Sequence, residues 1–305
     1  MRLICFLICI PLLITACGNQ PTPTQAASQT APPSTHSAPP SATQTLTASP
    51  TAPPVTSCED WYSWPVTPAV SQFTRELYRR GQESGHNPAA FSKIGDGEIS
   101  TEWFLAMFEL GEPYYDLGDY QDLRPVIDHF AGSFGRSGIA ARRGFNTERI
   151  LDPALSDPSL CEEGGSPLVC ELRLHRPAFA ILSLGTNQVW KPEEFEAGMR
   201  QILDILVSHH VVPILSTKGD NLEGDHSINN RIACLAHEYD IPLWNFWAAI
   251  QPLPNHGLQP DLEHLTYGIT DFDNEDALQS AWTVRNLTAL QALDAVWRGV
   301  TAQPR

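Results

Sequence analysis

The chain has 305 residues, and its 35 acidic and 19 basic side chains give it a formal net charge of -16 at pH 7. A strongly acidic chain repels phosphate groups and anionic lipids. This composition therefore argues against nucleic-acid partners and against membrane binding through a basic surface.

The N-terminal residues are typical of a secretory signal peptide. Arg2 precedes an unbroken apolar stretch over residues 3–14, which is too short to span a membrane as a helix. Residues 14–17, Ile-Thr-Ala-Cys, resemble the bacterial lipobox, in which the cysteine receives a diacylglycerol and becomes the mature N-terminus. We therefore expect residues 1–16 to be removed and the lipidated Cys17 to hold the chain at a membrane, outside the cytoplasm. The alternative is an ordinary signal peptide with a chance cysteine.

A segment of low complexity follows. Residues 18–57 consist almost entirely of Pro, Thr, Ser, Ala and Gln, a composition that does not build a core and that predicts disorder. Extended at about 3.1 Å per residue, such a tether reaches roughly 120 Å. The sequence thus predicts a signal peptide over 1–16, a lipidated cysteine and tether over 17–57, and one globular domain over 58–305.

Four cysteines lie in the predicted domain, where export makes disulfides possible. Cys161 and Cys170 flank a short loop that contains glycine and proline, so we expect them to pair with each other. Cys58 and Cys234 either pair or remain free, because sequence alone does not fix the connectivity. None of the spacings is that of a zinc site, and we predict neither a metal site nor a cofactor.

Strand and helix signals alternate along the domain. A helix is predicted behind Thr67 and Pro68, a capping residue and a proline at the first helical position, with Gly81 at its end. Apolar runs predict strands at 91–94, 139–142, 178–184, 211–217 and 241–246, and helical stripes predict helices around 100–110, 195–206, 228–239 and 277–297. This alternation predicts a three-layer α/β/α sandwich with a mainly parallel, flavodoxin-like sheet. Ligands bind such sheets beyond the carboxyl ends of the strands.

Three segments at predicted strand ends carry a family resemblance. They are KIGDGEIS at 93–100, LGTNQVW at 184–190 and QPDLEHLTYG at 259–268. In order and spacing they resemble the sequence blocks of the SGNH, or GDSL-type, hydrolase family, and Gly144 is similar to the glycine of that family's second block. The resemblance covers roughly residues 89–297. It implies the SGNH hydrolase fold and an esterase or acyl hydrolase that acts on acyl esters of glycans or lipids outside the cytoplasm.

The resemblance also implies roles for individual residues. His264 would be the general base, and Asp261 would orient its ring. The backbone N–H near Gly97, the Gly144 N–H and the Asn187 amide would stabilise the oxyanion. Four further residues near strand ends are candidates for a substrate-binding rim: Asp96, Trp190, Asp225 and His226. The alternatives are packing of the Trp190 ring against the sheet and capping of the next helix by Asp225.

The position of the family's nucleophilic serine is occupied by Gly97, which has no side chain to attack with. One structural explanation is that only glycine suits a tight turn from strand to helix at this point. Two functions stay open. In the first, His264 activates water directly and the chain hydrolyses acyl esters. In the second, the chain is a catalytically inactive module that binds a carbohydrate or acylated ligand in the same cleft. Gln188, where the family has aspartate, is a second departure.

Overall fold

The computed structural model describes residues 58–302, so the predicted signal peptide, the predicted lipidation site at Cys17 and the tether lie outside the described residues. The centre of the domain is a sheet of four parallel strands that lie side by side in chain order: β1 (Asn87–Gly95), β2 (Pro177–Ser183), β3 (Val212–Ser216) and β4 (Leu243–Trp244). Every residue of β2 and β3 is buried, which explains why both strands are continuous apolar runs.

The prediction of a strand at 139–142 is wrong. The contact of this segment with the sheet is one parallel bridge between Ala141 and Gly95. The Gly95 N–H donates to the Ala140 carbonyl at 3.0 Å, and the Arg142 N–H donates to the Gly95 carbonyl at 3.1 Å. Pairing stops there because the chain turns away at Gly144, where φ is 79°. The segment still lies beside β1, so the order is this segment, β1, β2, β3 and β4, which is the flavodoxin-like arrangement.

Helices cover the sheet. Between residues 58 and 302 the α-helices are α1 (Gln72–Glu83), α2 (Gly97–Ser100), α3 (Met107–Leu110), α4 (Arg124–His129), α5 (Thr147–Leu151), α6 (Pro167–His175), α7 (Pro192–Ser208), α8 (Ser227–Glu238), α9 (Phe246–Ile250) and α10 (Ala281–Thr301). None of the helices in this part of the chain combines the length and the apolar character that a membrane crossing requires.

Two helices differ from their predictions. The predicted Thr67–Pro68 cap is wrong, because α1 begins after Ser71, whose Oγ accepts a hydrogen bond from the Thr74 N–H at 3.0 Å. The helix predicted around 100–110 is two short helices, α2 and α3. The chain bends between them at Leu105, where φ is 62° and the N–H donates to Asn286 Oδ1 at 2.9 Å instead of to a helical carbonyl.

Apolar side chains pack on both faces of the sheet and so produce three layers. Successive residues of a strand point to opposite faces. In β2, Phe179 and Ile181 therefore belong to the core shared with α1, α4 and α10, whereas Ala180 and Leu182 belong to the core shared with α6, α7 and α8. This arrangement confirms the predicted three-layer α/β sandwich.

Two disulfides cross-link the described chain. One joins Cys161 to Cys170, the pair that the loop spacing predicts. The other joins Cys58 to Cys234, a connection that the sequence leaves open. Because Cys234 lies in α8, this second bond attaches the first described residue to a helix 176 positions further along the chain.

Replacing Cys58 and Cys234 together by serine should destabilise the domain more than replacing Cys161 and Cys170. A cross-link stabilises mainly by restricting the unfolded chain, and the two sequence separations are 176 and 9. Chain entropy gives about 5 kcal/mol for the long loop and about 3 kcal/mol for the short one. Urea unfolding of the two double variants measures the free energies of unfolding, and a larger loss for the short loop would contradict the expectation.

Candidate active site

A cleft of about 660 Å³ lies at the carboxyl ends of the strands. Gly97 and Asn187 follow β1 and β2 closely, and Gly144 and His264 reach the same cleft from loops. The structure thus brings together four predicted site residues that are far apart in sequence.

His264 is oriented by Asp261 within one turn of the chain. Its Nδ1 lies 2.8 Å from Asp261 Oδ2, while Asp261 Oδ1 accepts hydrogen bonds from the N–H groups of Glu263 and His264, each at 3.0 Å. The backbone hydrogen bonds from His264 and Glu263, and then the imidazole, lower the pKa of Asp261 to about 2. The side-chain hydrogen bond to Asp261 in turn raises the pKa of His264. Because Asp261 occupies Nδ1, Nε2 is the ring nitrogen that remains for a ligand or water.

Three residues that line the cleft each have an N–H group that donates no hydrogen bond within the described residues. Within residues 58–302, the backbone N–H groups of Gly97 and Gly144 have no acceptor. Asn187 Nδ2 donates one proton to the Phe145 carbonyl at 2.9 Å, which orients the amide and leaves its second N–H free. Free donors around one cavity are what the stabilisation of a developing oxyanion requires.

The loop that carries Asn187 is held by a buried ion cluster. Thr186 Oγ1 donates to Asp220 Oδ2 at 2.7 Å. Lys218 Nζ lies 2.6 Å from Asp220 Oδ1 and 2.7 Å from Glu223 Oε2, and all three charged side chains are almost fully buried. Removing one member of such a cluster leaves an uncompensated buried charge, so the cluster fixes the position of the loop.

The backbone at Gly97 does not require glycine, so the structural explanation for this residue is wrong. Its φ lies outside the left-handed region, and a Cβ placed there would contact only Arg143 Cγ, at 3.7 Å. Gly95 is different, because its φ is 152° and a Cβ there would overlap the Ser183 carbonyl oxygen. Position 97 therefore has room for the side chain that it lacks.

Two carboxyl groups beside Gly97 have pKa values that burial raises. Asp96 caps α2 by accepting a hydrogen bond from the Glu98 N–H at 3.1 Å. Burial, and then the charge of Glu98, raises the pKa of Asp96 to about 7. Burial also raises the pKa of Glu98, which lines the cleft. At neutral pH, Asp96 is therefore partly protonated and the cleft carries less negative charge than its composition suggests.

Arg285 is a fully buried cation that lies beside the carboxylate of Glu98. Its guanidinium lies 4.6–5.9 Å from the centroids of four aromatic rings: Phe104, Trp244, Phe246 and Trp282. Nη2 donates to Ser183 Oγ at 2.9 Å, and Nη1 lies 3.5 Å from Glu98 Oε2. Nη1 and Nε have no hydrogen-bond partner among the described residues, and burial lowers the pKa of Arg285. This side chain connects α10 both to the end of β2 and to the residue that follows Gly97.

The predicted rim residues lie in different places. Asp96 lines the cleft, whereas three others do not: Trp190, Asp225 and His226. Asp225 Oδ1 accepts a hydrogen bond from the Ser227 N–H at 2.9 Å, but the N-cap of α8 is His226, one residue further on. His226 packs against the rings of Trp61 and Trp247.

Sequence reasoning missed three residues that contact or support the cleft. Glu98 lies within the block KIGDGEIS, but the family resemblance gives it no role. Trp103 lies between α2 and α3, where the sequence predicts one continuous helix. Of the three, Arg285 is the residue that the sequence could best have indicated, because it is a basic residue inside the long predicted last helix. In the part of the chain that the structure describes, no group of three or more His, Cys, Asp or Glu side chains is arranged to hold a metal ion.

No protein-family model matches the chain, and no curated protein matches it. Among solved structures, a GDSL-like lipase from Bacteroides thetaiotaomicron VPI-5482 is 13% identical, with a TM-score of 0.39 over 73% of this chain and 98% of that chain. A provisionally assigned acylhydrolase from Bacteroides fragilis NCTC 9343 is 14% identical, with a TM-score of 0.42 over 73% of this chain and 97% of that chain. Likenesses at such low TM-scores assign no function and no residue role. The chain itself defines a three-layer α/β protein with a histidine–aspartate pair at its strand ends.

Gly97→Ser should fold normally, whereas Gly95→Ala should not. The first substitution places a side chain in open space and restricts the unfolded chain, so the free energy of unfolding should stay within about 1 kcal/mol of the wild type. The second forces a Cβ into a backbone carbonyl at a φ that L-residues avoid, and should lower the free energy of unfolding by at least about 2 kcal/mol. Urea unfolding followed by tryptophan fluorescence compares them, and equal stabilities would contradict the geometry.

Proposed function

We propose that this chain hydrolyses acyl esters, with His264 as the general base for a water molecule and Asp261 as the group that orients it. The observation that carries the proposal is the 2.8 Å hydrogen bond between His264 and Asp261 beside a cleft with free N–H donors. A general base, an orienting carboxylate and an oxyanion site are three of the four parts of a serine-hydrolase centre. The resemblance of the strand-end blocks to those of SGNH/GDSL-type hydrolases supports the same reaction class.

The reaction follows from the positions of these groups. Nε2 of neutral His264 takes a proton from water while the water oxygen attacks the ester carbonyl carbon, whose oxygen becomes an oxyanion. The N–H groups of Gly97, Gly144 and Asn187 stabilise that charge, and one such donor typically lowers the barrier by about 3 kcal/mol. When the tetrahedral intermediate collapses, the ester C–O bond breaks and the imidazolium returns its proton to the departing alcohol. This route needs no covalent acyl-enzyme.

We also propose that the chain acts outside the cytoplasm, held at a membrane through a lipidated Cys17. The signal-like residues 1–16 and the lipobox-like Ile-Thr-Ala-Cys support this location. The disulfides Cys58–Cys234 and Cys161–Cys170 add support, because such bonds persist in oxidising compartments. The esters within reach are then acyl groups on glycans or lipids of the cell envelope.

One observation favours a second function, a binding module without turnover. Position 97 accommodates a side chain, yet the residue there is glycine. A site that only binds its ligand needs no nucleophile, and the same N–H donors would then hold an ester carbonyl or a sugar hydroxyl. The two functions differ in whether the wild-type chain turns over an ester.

Hydrolysis of 4-nitrophenyl acetate by the wild-type chain should rise with pH through the pKa of His264. A general base acts in its neutral form, and Asp261 raises this pKa, so the half-maximal point of kcat/KM should lie above the ordinary histidine value of about 6.5. In Asp261→Asn the half-maximal point should move to lower pH, and kcat/KM should fall by roughly 10²-fold or more. In His264→Ala, kcat/KM should fall by about 10²- to 10⁴-fold.

His209→Ala is the matched control, because this exposed histidine lies outside the cleft and should leave the pH profile unchanged. Undiminished turnover in His264→Ala would rule out the proposed role of His264. A folded wild-type chain that turns over none of a series of short acyl esters would favour the binding module instead.

Gly97→Ser should convert the site to covalent catalysis. With a hydroxyl beside His264, we expect a fluorophosphonate probe to label the variant and the wild type to remain unlabelled. We also expect kcat/KM for 4-nitrophenyl acetate to rise by at least about tenfold, with a burst of product, because a positioned nucleophile divides one difficult step into two easier ones. Gly97→Ala and the double variant Gly97→Ser/His264→Ala should stay unlabelled. A folded Gly97→Ser chain that shows neither label nor gain would place residue 97 out of reach of His264.

A further inference from the structure

A second cleft, of about 690 Å³, adjoins the cleft that contains His264. Both clefts are lined by Trp103, and Tyr267 of the first is followed in the chain by Gly268 of the second. The rings of Trp103 and Tyr267 lie 5.6 Å apart between centroids, and the two residues are 44% and 65% exposed. Since either cleft alone has the volume of an ordinary small-molecule site, a short acyl ester fills only the first.

The second cleft combines aromatic and acidic groups that are free to bind. Tyr114 is 55% exposed, and its hydroxyl has no partner within residues 58–302. Asp116 Oδ1 accepts a hydrogen bond from the Gly118 N–H at 2.9 Å, and Asp271 Oδ1 accepts one from the Asp273 N–H at 3.1 Å. One oxygen of each carboxylate therefore remains for a ligand. Carboxylates accept strong hydrogen bonds from hydroxyl groups, and exposed rings offer flat apolar surfaces.

Charge restricts what this surface accepts. Arg124, a basic side chain beside the second cleft, forms an ion pair with Glu112 at 2.8 Å and donates a hydrogen bond to the hydroxyl of Tyr115. The free carboxylates of Asp116 and Asp271 leave the surface negative, which disfavours ligands that carry carboxylate, phosphate or sulfate groups. The same carboxylates disfavour a long acyl chain. An apolar ligand would displace water from them without offering hydrogen bonds in its place. A ligand with hydroxyl groups, flat apolar faces and no negative charge fits both conditions.

We infer that the second cleft and the Trp103–Tyr267 pair bind an uncharged oligosaccharide, whose acyl ester then lies in the first cleft near His264. Trp103 lines both clefts, so a chain of sugars in the second cleft continues into the first without leaving the aromatic surface. The ester part of this inference rests on the proposed function, whereas binding of the sugar chain does not require turnover. The substrate class is thereby an acylated neutral glycan and not a lipid ester.

Isothermal titration calorimetry with the purified full chain tests the inference on four neutral probes: cellohexaose, chitohexaose, mannohexaose and maltohexaose. At least one should bind, and Tyr114→Ala should weaken its Kd by about tenfold because an aromatic platform is lost. Asp271→Asn keeps the hydrogen bond from Asp273 but loses the charge, and should weaken Kd by about fivefold. Tyr62→Ala and Glu163→Gln are matched controls, since both residues are exposed outside the two clefts, and both should leave Kd unchanged.

Several outcomes would overturn the inference. They are binding of none of the four neutral probes, a Kd that Tyr114→Ala and Asp271→Asn leave unchanged, and tighter binding of hexagalacturonate or of monomeric dihexanoylphosphatidylcholine than of any neutral probe. Failure of the proposed function looks different. A chain that binds a neutral probe but hydrolyses no ester loses only the proposed reaction, and a chain that hydrolyses 4-nitrophenyl acetate but binds no probe loses only the glycan.

Discussion

The close contact between the ends of β1 and β2 is the constraint on which the candidate site depends. Gly95 pairs with Ser183 on one side and with Ala141 on the other, and a side chain at this position would overlap the Ser183 carbonyl oxygen. Three separate parts of the chain, β1 itself and the two segments paired with it, therefore meet at this one backbone position. Gly97, Gly144 and Asn187 follow those three parts within a few residues, which is why their N–H groups line one cleft.

Buried charged side chains hold in place the segments that backbone pairing brings together at the cleft. Arg285 reaches Ser183 Oγ and the carboxylate of Glu98 from the last helix, and aromatic faces replace part of its lost hydration. Burial raises the pKa of Glu98, while the positive charge of Arg285 opposes that rise. On the other side of the cleft, the pair of Lys218 and Asp220 supports the Asn187 loop. Both clusters place unsatisfied or costly charge next to the cleft, where a purely structural core would use apolar residues.

Under the proposed hydrolysis, the two clefts change how much the reaction depends on residue 97. In a site limited to a small ester, Gly97 offers no nucleophile, and His264 with its water would have to supply all of the chemistry. In a longer groove, binding of the remainder of the substrate can hold an ester against His264 and its water, since positioning alone supplies a large share of many rate enhancements. The same groove also serves a protein that binds its glycan without cleaving it. The backbone at Gly97 accepts a side chain, so the fold does not require glycine there under either function.

The sequence by itself determined the features that depend on local pattern. The apolar run of β2 and the helical stripe of α7 are visible in the sequence because buried side chains recur with the period of the strand or helix. Asp261 reaches His264 because it lies only three positions before it. Tertiary structure alone decided the contacts between distant segments. The pairing of Cys58 with Cys234, the aromatic surroundings of Arg285 and the second cleft around Trp103 each join parts of the chain whose separation leaves no periodic signal. Position 97 shows the same division, because the sequence shows that serine is absent, and only the packed backbone shows that there is room for it.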